Sequence, residues 1–220
     1  MSLLKPIALD RTTITAQVVE HLRTQIVNGT LAAGSPLPES RVGQWLGVSR
    51  VPVREALAML EREGLVVFNH RGTARVAAFG PADIRELGFM RVALETVGTR
   101  LACTALNEAW VEALQNNLRQ LKGAKSLTDV TRLDVAFHEI IIRASGNSRL
   151  QIAYRQLASQ FVVVMGLFHR AIEAKTRITR DLTYRSHEQL LNAMLHDEAA
   201  AVENLARQHA ESWLQGWPAA

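Results

Sequence analysis

The sequence predicts a mainly α protein in two parts. A small amino-terminal domain of three helices and a β-hairpin precedes a larger, all-helical bundle of about six helices. Three observations predict it. Four of the six prolines and seven of the thirteen glycines lie within residues 1–80, and no proline stands between Pro81 and Pro218. Proline breaks helix interiors by removing a donor and clashing with the preceding turn, so the gap favours long helices. Charge divides at the same place, with nine Lys and Arg against six Asp and Glu in residues 1–80, and sixteen against fifteen in residues 81–220. Finally, the apolar period is helical everywhere except just after Gly64. These boundaries give a domain over 1–78, a linker at 79–81 and a bundle over 82–220.

The chain has 220 residues, 48% hydrophobic and 21% charged, enough to bury a core. That composition excludes a disordered tail, a collagen-like repeat and a disulfide scaffold. No apolar run approaches the ~20 residues of a membrane span. The amino terminus, MSLLKPIALDRTTITAQ, lacks the apolar stretch and cleavage site of a secretory signal. The lone Cys103 fits a reducing compartment, so a cytoplasmic location is expected. A net charge of +4 permits a nucleic-acid partner without demanding one.

Ile14, Val18, Leu22 and Ile26 recur every four residues and predict a first helix over about 14–28, closed by Gly29. After the loop LAAGSPLP, a short second helix over about 39–46 is expected to bury Val42, Trp45 and Leu46. The turn Gly47-Val48-Ser49 follows, with Ser49 as N-cap and Pro52 tolerated in the first turn of the third helix. Val53, Ala56, Leu57 and Leu60 form that helix's apolar stripe. LVVF and ARVAAF then read as two strands joined at a tip, NHRGT.

Helix, helix–turn–helix and hairpin in this order make a winged helix-turn-helix. Arg50 and Arg54 are one turn apart, away from the apolar stripe. There, guanidinium groups can fork onto guanine or clamp phosphates. Ser49 can donate to a phosphate, and His70, Arg71 and Gly72 at the hairpin tip can reach a neighbouring groove. The alternative is an ordinary helix surface, with the arginines paired to Glu55, Glu61 or other acids.

The stretch LRTQIVNGTLAAGSPLPES…LGVSRVPVREALAMLEREGLV resembles the DNA-binding domain of the GntR superfamily of bacterial regulators over about fifty residues. The resemblance implies that Ser49, Arg50, Arg54 and Gly72 contact operator DNA. Many members carry arginine directly after the acidic residue of the second helix. This chain has Ser40 there and Arg41 next, which makes Arg41 a candidate for the same contact.

Helical patterns in the second part fall near 82–105, 108–123, 127–144, 148–174, 178–196 and 198–215. Asp134 and His138 lie four apart on one helix side. His187 stands ten residues before, and His209 twelve after, the turn near Asp197, which brings them to similar height in an antiparallel hairpin. Three imidazoles and a carboxylate suit a divalent cation, Zn²⁺ first, with Ni²⁺ and Mn²⁺ as alternatives. Open positions on the ion would let it hold a ligand's carboxylate. Each histidine also has a structural reading, as a surface pair or at a helix end. His169 and His196 are not assigned to the metal, and Trp110, Trp213 and Trp217 read as packing or interface residues. Glu95 reads as helix surface or pocket wall.

RVALET, DVAFHEIIIRASGN and SHEQLLNAMLHDEAAAVENLARQH resemble the FadR-type group of the GntR superfamily, whose effector domain is called FCD. Six helices instead of seven look like its VanR-like subgroup. The resemblance implies that Asp134, His138, His187 and His209 ligate a metal that anchors a small organic acid. Arg91 and Arg143 are then candidates to pair with the acid's carboxylate. The expected protein is a homodimeric, ligand-responsive regulator, a repressor, that binds double-stranded operator DNA through two winged domains. The alternatives are a metal-dependent hydrolase carrying a DNA-binding domain, and a pure metal sensor. Glu139 lies about 100° around the helix from His138, a poor place for a general base, and no GxSxG motif is present.

Overall fold

The computed structural model describes residues 13–176 and 178–216. Trp217 and the stretch ahead of Thr13 lie outside the described residues. The chain divides into two compact units between Ala77 and Ala78.

In the first unit, α1 runs from Ile14 to Val27, with the Thr13 side chain accepting from the Ala16 N–H at its start. Its buried line is Val18, Val19, Leu22 and Ile26, whereas Ile14, at the first turn, is 57% exposed. Helices α2 (Glu39–Leu46) and α3 (Arg50–Arg62) follow, then strands β1 (Val66–Phe68) and β2 (Ala74–Val76). The strands pair antiparallel, Val66 with Val76 and Phe68 with Ala74. The loop before α2 also runs along β2, with Leu37 N–H donating to Ala74 O and Val76 N–H to Ser35 O.

The expected burial of Trp45 is wrong: it is 54% exposed, with the Arg41 guanidinium 5.0 Å from its ring centre. A two-turn helix has little inner surface, and in α2 Val42 and Gly43 occupy it. Gly43 is there for closeness of approach, because a Cβ on it would lie 2.8 Å from the Val48 carbonyl oxygen. Gly47, at φ 67°, makes the left-handed turn that brings that carbonyl back. Replacing Gly43 with Ala is expected to destabilise the first unit by about 1–3 kcal/mol through overpacking against backbone. Denaturant unfolding would measure it, and an unchanged midpoint would contradict the account.

The second unit is built from α4 (Pro81–Cys103), α5 (Glu108–Lys122), α6 (Leu127–Ala144), α7 (Ser148–Thr176), α8 (Thr179–His196) and α9 (Ala199–Gly216). Local chemistry sets the starts. Pro81 opens α4, and the side chains of Asn107 and Ser126 accept from Trp110 N–H and Asp129 N–H. One apolar cluster, with Leu114, Phe137, Ile141, Leu190 and Val202, ties α5, α6, α8 and α9. A second, with Ile84, Leu94, Tyr154, Phe161, Met165 and Trp213, ties α4, α7 and α9.

One sequence expectation needs correcting here. Helix α7, over Ser148–Lys175, is long and apolar enough by length and composition to cross a membrane. Its apolar residues are interrupted by Arg149, Arg155 and Arg170, which is why no unbroken run shows in the sequence. Tyr154, Phe161, Val164 and Met165 bury its inner side in the second cluster.

Candidate functional site

The residues expected to read DNA are exposed in the first unit. Ser49 caps α3 without a side-chain hydrogen bond, and Arg50, Val51 and Arg54 are exposed around the first turns. Arg54 is not paired within its own helix. Its Nε and Nη2 donate to the two oxygens of Glu39, at the start of α2, at 2.8 and 2.9 Å. Glu55 instead accepts from Thr15 Oγ1. The tip of the hairpin is ordered by Asn69, whose Oδ1 accepts from Arg71 N–H and Thr73 N–H. Gly72 takes φ 71° there, and His70, Arg71 and Gly72 are all exposed. Asn69 and Glu39 escaped the sequence reading. Asn69 was legible as an Asx-turn former, whereas Glu39 lies fifteen residues from its partner.

The second unit brings Asp134, His138, His187 and His209 together. Nε2 of His138 lies 3.2 Å from Nε2 of His187 and 3.0 Å from Nε2 of His209. Asp134 Oδ1 is 3.9 Å from His138 Nε2 and 3.7 Å from His187 Nε2. Three imidazole nitrogens aimed at one point make a poor hydrogen-bond arrangement, since each offers either one proton or one lone pair. As metal ligands the distances are natural. Nitrogens 2.0–2.1 Å from one ion stand about 3 Å apart at right angles and about 3.3 Å apart at the tetrahedral angle. Burial lowers the basicity of all three rings, His138 far below its usual value, His187 to about 3 and His209 to about 4. Neutral imidazoles present lone pairs, the form a cation requires.

Two buried acids and a buried arginine surround these ligands. Arg91, 2% exposed, donates from Nε to Glu95 Oε1 at 2.7 Å and from Nη2 to Asp134 Oδ1 at 3.2 Å. Burial works against its charge, but Glu95 and Asp134 outweigh that and hold it protonated. Burial likewise pushes Asp134 up, yet Arg91 and then His169 and His187 hold it well below the usual carboxylate range. For Glu95 burial wins, and its carboxyl is raised to about 7. Glu95 Oε2 lies 3.1 Å from His138 Nδ1, off the line of a hydrogen bond, and neither atom has another hydrogen-bond partner. A slight ring rotation would turn this into the outer hydrogen bond that ligating histidines generally make. Ring stacking positions His187 instead, its ring centre 4.3 Å from that of Phe137 and the two planes 4° from parallel.

His169, not assigned from sequence, belongs to this shell. Its Nε2 is 3.1 Å from Asp134 Oδ2, and its Nδ1 is 2.8 Å from Thr131 Oγ1. With Nε2 donating to the carboxylate, Nδ1 faces the Thr131 hydroxyl, whose one proton is shared between this nitrogen and Leu127 O, 3.0 Å away. Asp134 is thereby gripped by Arg91 on one oxygen and His169 on the other. His169→Phe is expected to weaken zinc binding about 10–100-fold, and His169→Gln less, because its amide still donates. Competition with a chromophoric chelator would show it; equal affinity in all three proteins would remove the role.

A cavity of about 270 Å³ adjoins these groups, lined by Arg91, Asp134, His169, His187 and His209 among others. Arg143 is not brought to it: the side chain is exposed, with its guanidinium 5.7 Å from the Trp110 ring centre. Glu139 and His196 do not line it either, and His196 is exposed. Trp213 is buried in the second core cluster.

A helix–turn–helix with a β-wing, followed by a helical bundle, is the architecture of a DNA-binding regulator of transcription. The chain belongs to the FCD-domain family, which matches residues 86–212, and residues 14–76 match the bacterial regulatory proteins of the gntR family. It is 28% identical over 199 residues to the HTH-type transcriptional repressor RspR of Escherichia coli strain K12, covering 89% of this chain and 85% of that one. It is also 28% identical over 217 residues to the probable D-xylose utilization operon transcriptional repressor of Paenarthrobacter nicotinovorans, covering 94% and 89%. Among solved structures, E. coli McbR/YncC shares the fold with a TM-score of 0.74 at 22% identity, covering 93% of this chain and 96% of that one. A putative GntR regulator from Rhodococcus sp. RHA1 does so at 0.71 and 23%, covering 93% and 95%. These relatives are regulators of transcription, and this chain is a regulator rather than an enzyme.

Proposed function

We propose that this protein is a homodimeric, cytoplasmic repressor whose operator affinity is set by a small carboxylate bound beside a divalent metal in the second unit. The observation that supports this most is the convergence of three histidine Nε2 atoms and Asp134 at the edge of a cavity. Asp134, His138, His187 and His209 would hold the ion, and three nitrogens with one oxygen favour Zn²⁺ or Ni²⁺ over Mn²⁺. The bound ion supplies positive charge and open positions for a carboxylate. Arg91, already shared between Glu95 and Asp134, adds charge at the cavity wall instead of a free clamp. Six helices among the described residues of the second unit support placing the chain in the VanR-like subgroup.

On the DNA side, Ser49, Arg50, Arg54 and Arg41 would meet one half-site, with His70, Arg71 and Gly72 of the wing at the adjoining groove. Two copies on a pseudo-palindrome would double that contact. The acid can act on DNA affinity only by binding the DNA-competent and incompetent arrangements unequally. The test is operator affinity by fluorescence anisotropy, with zinc-loaded protein, with chelator-stripped protein, and with small acids added. The reading expects both metal and acid to move it; an affinity indifferent to both would sink the sensing half.

A further inference from the structure

We infer that the cavity is shaped for a compact monocarboxylate with an apolar body, and that it discriminates against polyhydroxylated and tricarboxylic acids. The inference deepens the proposed function and rests on a metal-held carboxylate in this chamber. Three observations carry it: the size, the walls and the charge count.

The cavity, at about 270 Å³, lies at the small end of ligand pockets. At liquid-like density that is room for on the order of ten non-hydrogen atoms. Beyond the metal-binding end the walls are Met165, Phe168, Ile172, Leu182 and Trp213. Leu182, 47% exposed, stands at the mouth.

The hydroxyls in the lining are mostly spent on their own helices. Thr183 Oγ1 donates to Thr179 O, Ser186 Oγ to Thr183 O, and Ser212 Oγ to His209 O. Each can still accept but has no proton left to give. Thr179 Oγ1 is buried without a hydrogen-bond partner. It lies eight residues before His187, about 12 Å along α8 and about 80° around it, and both line the cavity. One polar atom at the far end suits an acid with at most one distal hydroxyl. A polyol acid would bury several hydroxyls that can donate to these oxygens but find few donors for their own lone pairs, a penalty that grows with each hydroxyl.

Charge argues the same way. A divalent ion and Arg91 would bring three positive charges; Asp134 removes one, and Glu95 removes at most one more, leaving a formal excess of one to two. One carboxylate offsets most of it, and three exceed it. A tricarboxylate would leave uncompensated negative charge against apolar walls, which is expensive.

The test uses zinc-loaded, full-length protein and isothermal titration with acetate, butyrate, hexanoate, gluconate and citrate. Affinity should rise about fourfold per added methylene from acetate to hexanoate. Hexanoate should bind at least about tenfold more tightly than gluconate or citrate. Leu182→Gln should flatten the series while zinc stoichiometry stays unchanged. A flat series in the parent protein, or tighter gluconate or citrate, overturns the inference. If the purified protein takes up no zinc, the metal reading has failed instead, and the same series on metal-free protein still decides the ligand class by its slope.

Discussion

Protein carrying His187→Ala and His209→Ala together is expected to lose stoichiometric metal by elemental analysis and to show no zinc-dependent rise in melting temperature. The two substitutions remove half of the four donors, from two different helices, and leave His138 and Asp134 alone on α6. Those two atoms, 3.9 Å apart, make a bidentate site of a kind abundant on protein surfaces without bound metal. For the parent protein, zinc at 100 times its dissociation constant should add about 2.7 kcal/mol of stability. That increment should vanish in the double variant. Because His187 is buried and stacked on Phe137, its truncation leaves a cavity of its own. His209→Gln, at the half-buried position, separates the two effects: it should weaken metal binding strongly while costing little stability in chelator. Parent-like metal content in the double variant would falsify the ligand assignment.

Arg54→Ala is expected to weaken specific operator binding by about 10–100-fold with the fold intact, and Arg50→Ala to do the same. A guanidinium bidentate on a guanine edge discriminates by about 1–3 kcal/mol, and both side chains are exposed on the first two turns of α3. For Arg54 there is an added element. It is presented by Glu39, which occupies Nε and one Nη2 proton and leaves the outer edge of the guanidinium clear. The pair is solvent-exposed, so its strength matters less than its direction. Each lost phosphate or base contact should also lower the steepness with which binding falls as salt is added. Anisotropy titrations at two salt concentrations would report both quantities. Unaltered affinity and slope in either variant would remove that arginine from the reading surface.

Much of this was legible in the sequence because it depends on short-range periodicity. The stripe Val53, Ala56, Leu57, Leu60 is buried as its spacing demands. Asp134 and His138 share a helix face because they are four apart, and His187 and His209 meet because they are nearly equidistant from one turn. What escaped depends on packing between elements. Helix α7 runs 29 residues without an internal break, so nothing local fixes which of its turns faces Asp134, and His169 looked like any histidine on an apolar helix. Arg91 read as a candidate partner for the acid's carboxylate, and nothing local shows that α6 places Asp134 against it. Arg143 had the right chemistry on the wrong face of α6. Trp45 followed the helical period, but α2 is too short for the period to decide burial.

The four donors are not equally anchored. Asp134 and His138 belong to five consecutive residues of α6, and His187, from α8, stacks on Phe137 within that same stretch, so three donors are tied to one rigid segment. His209 alone arrives from α9 and is only half-buried. A held ion would therefore depend for its last contact on that one ring, and its residence time would report how tightly the last helix is docked.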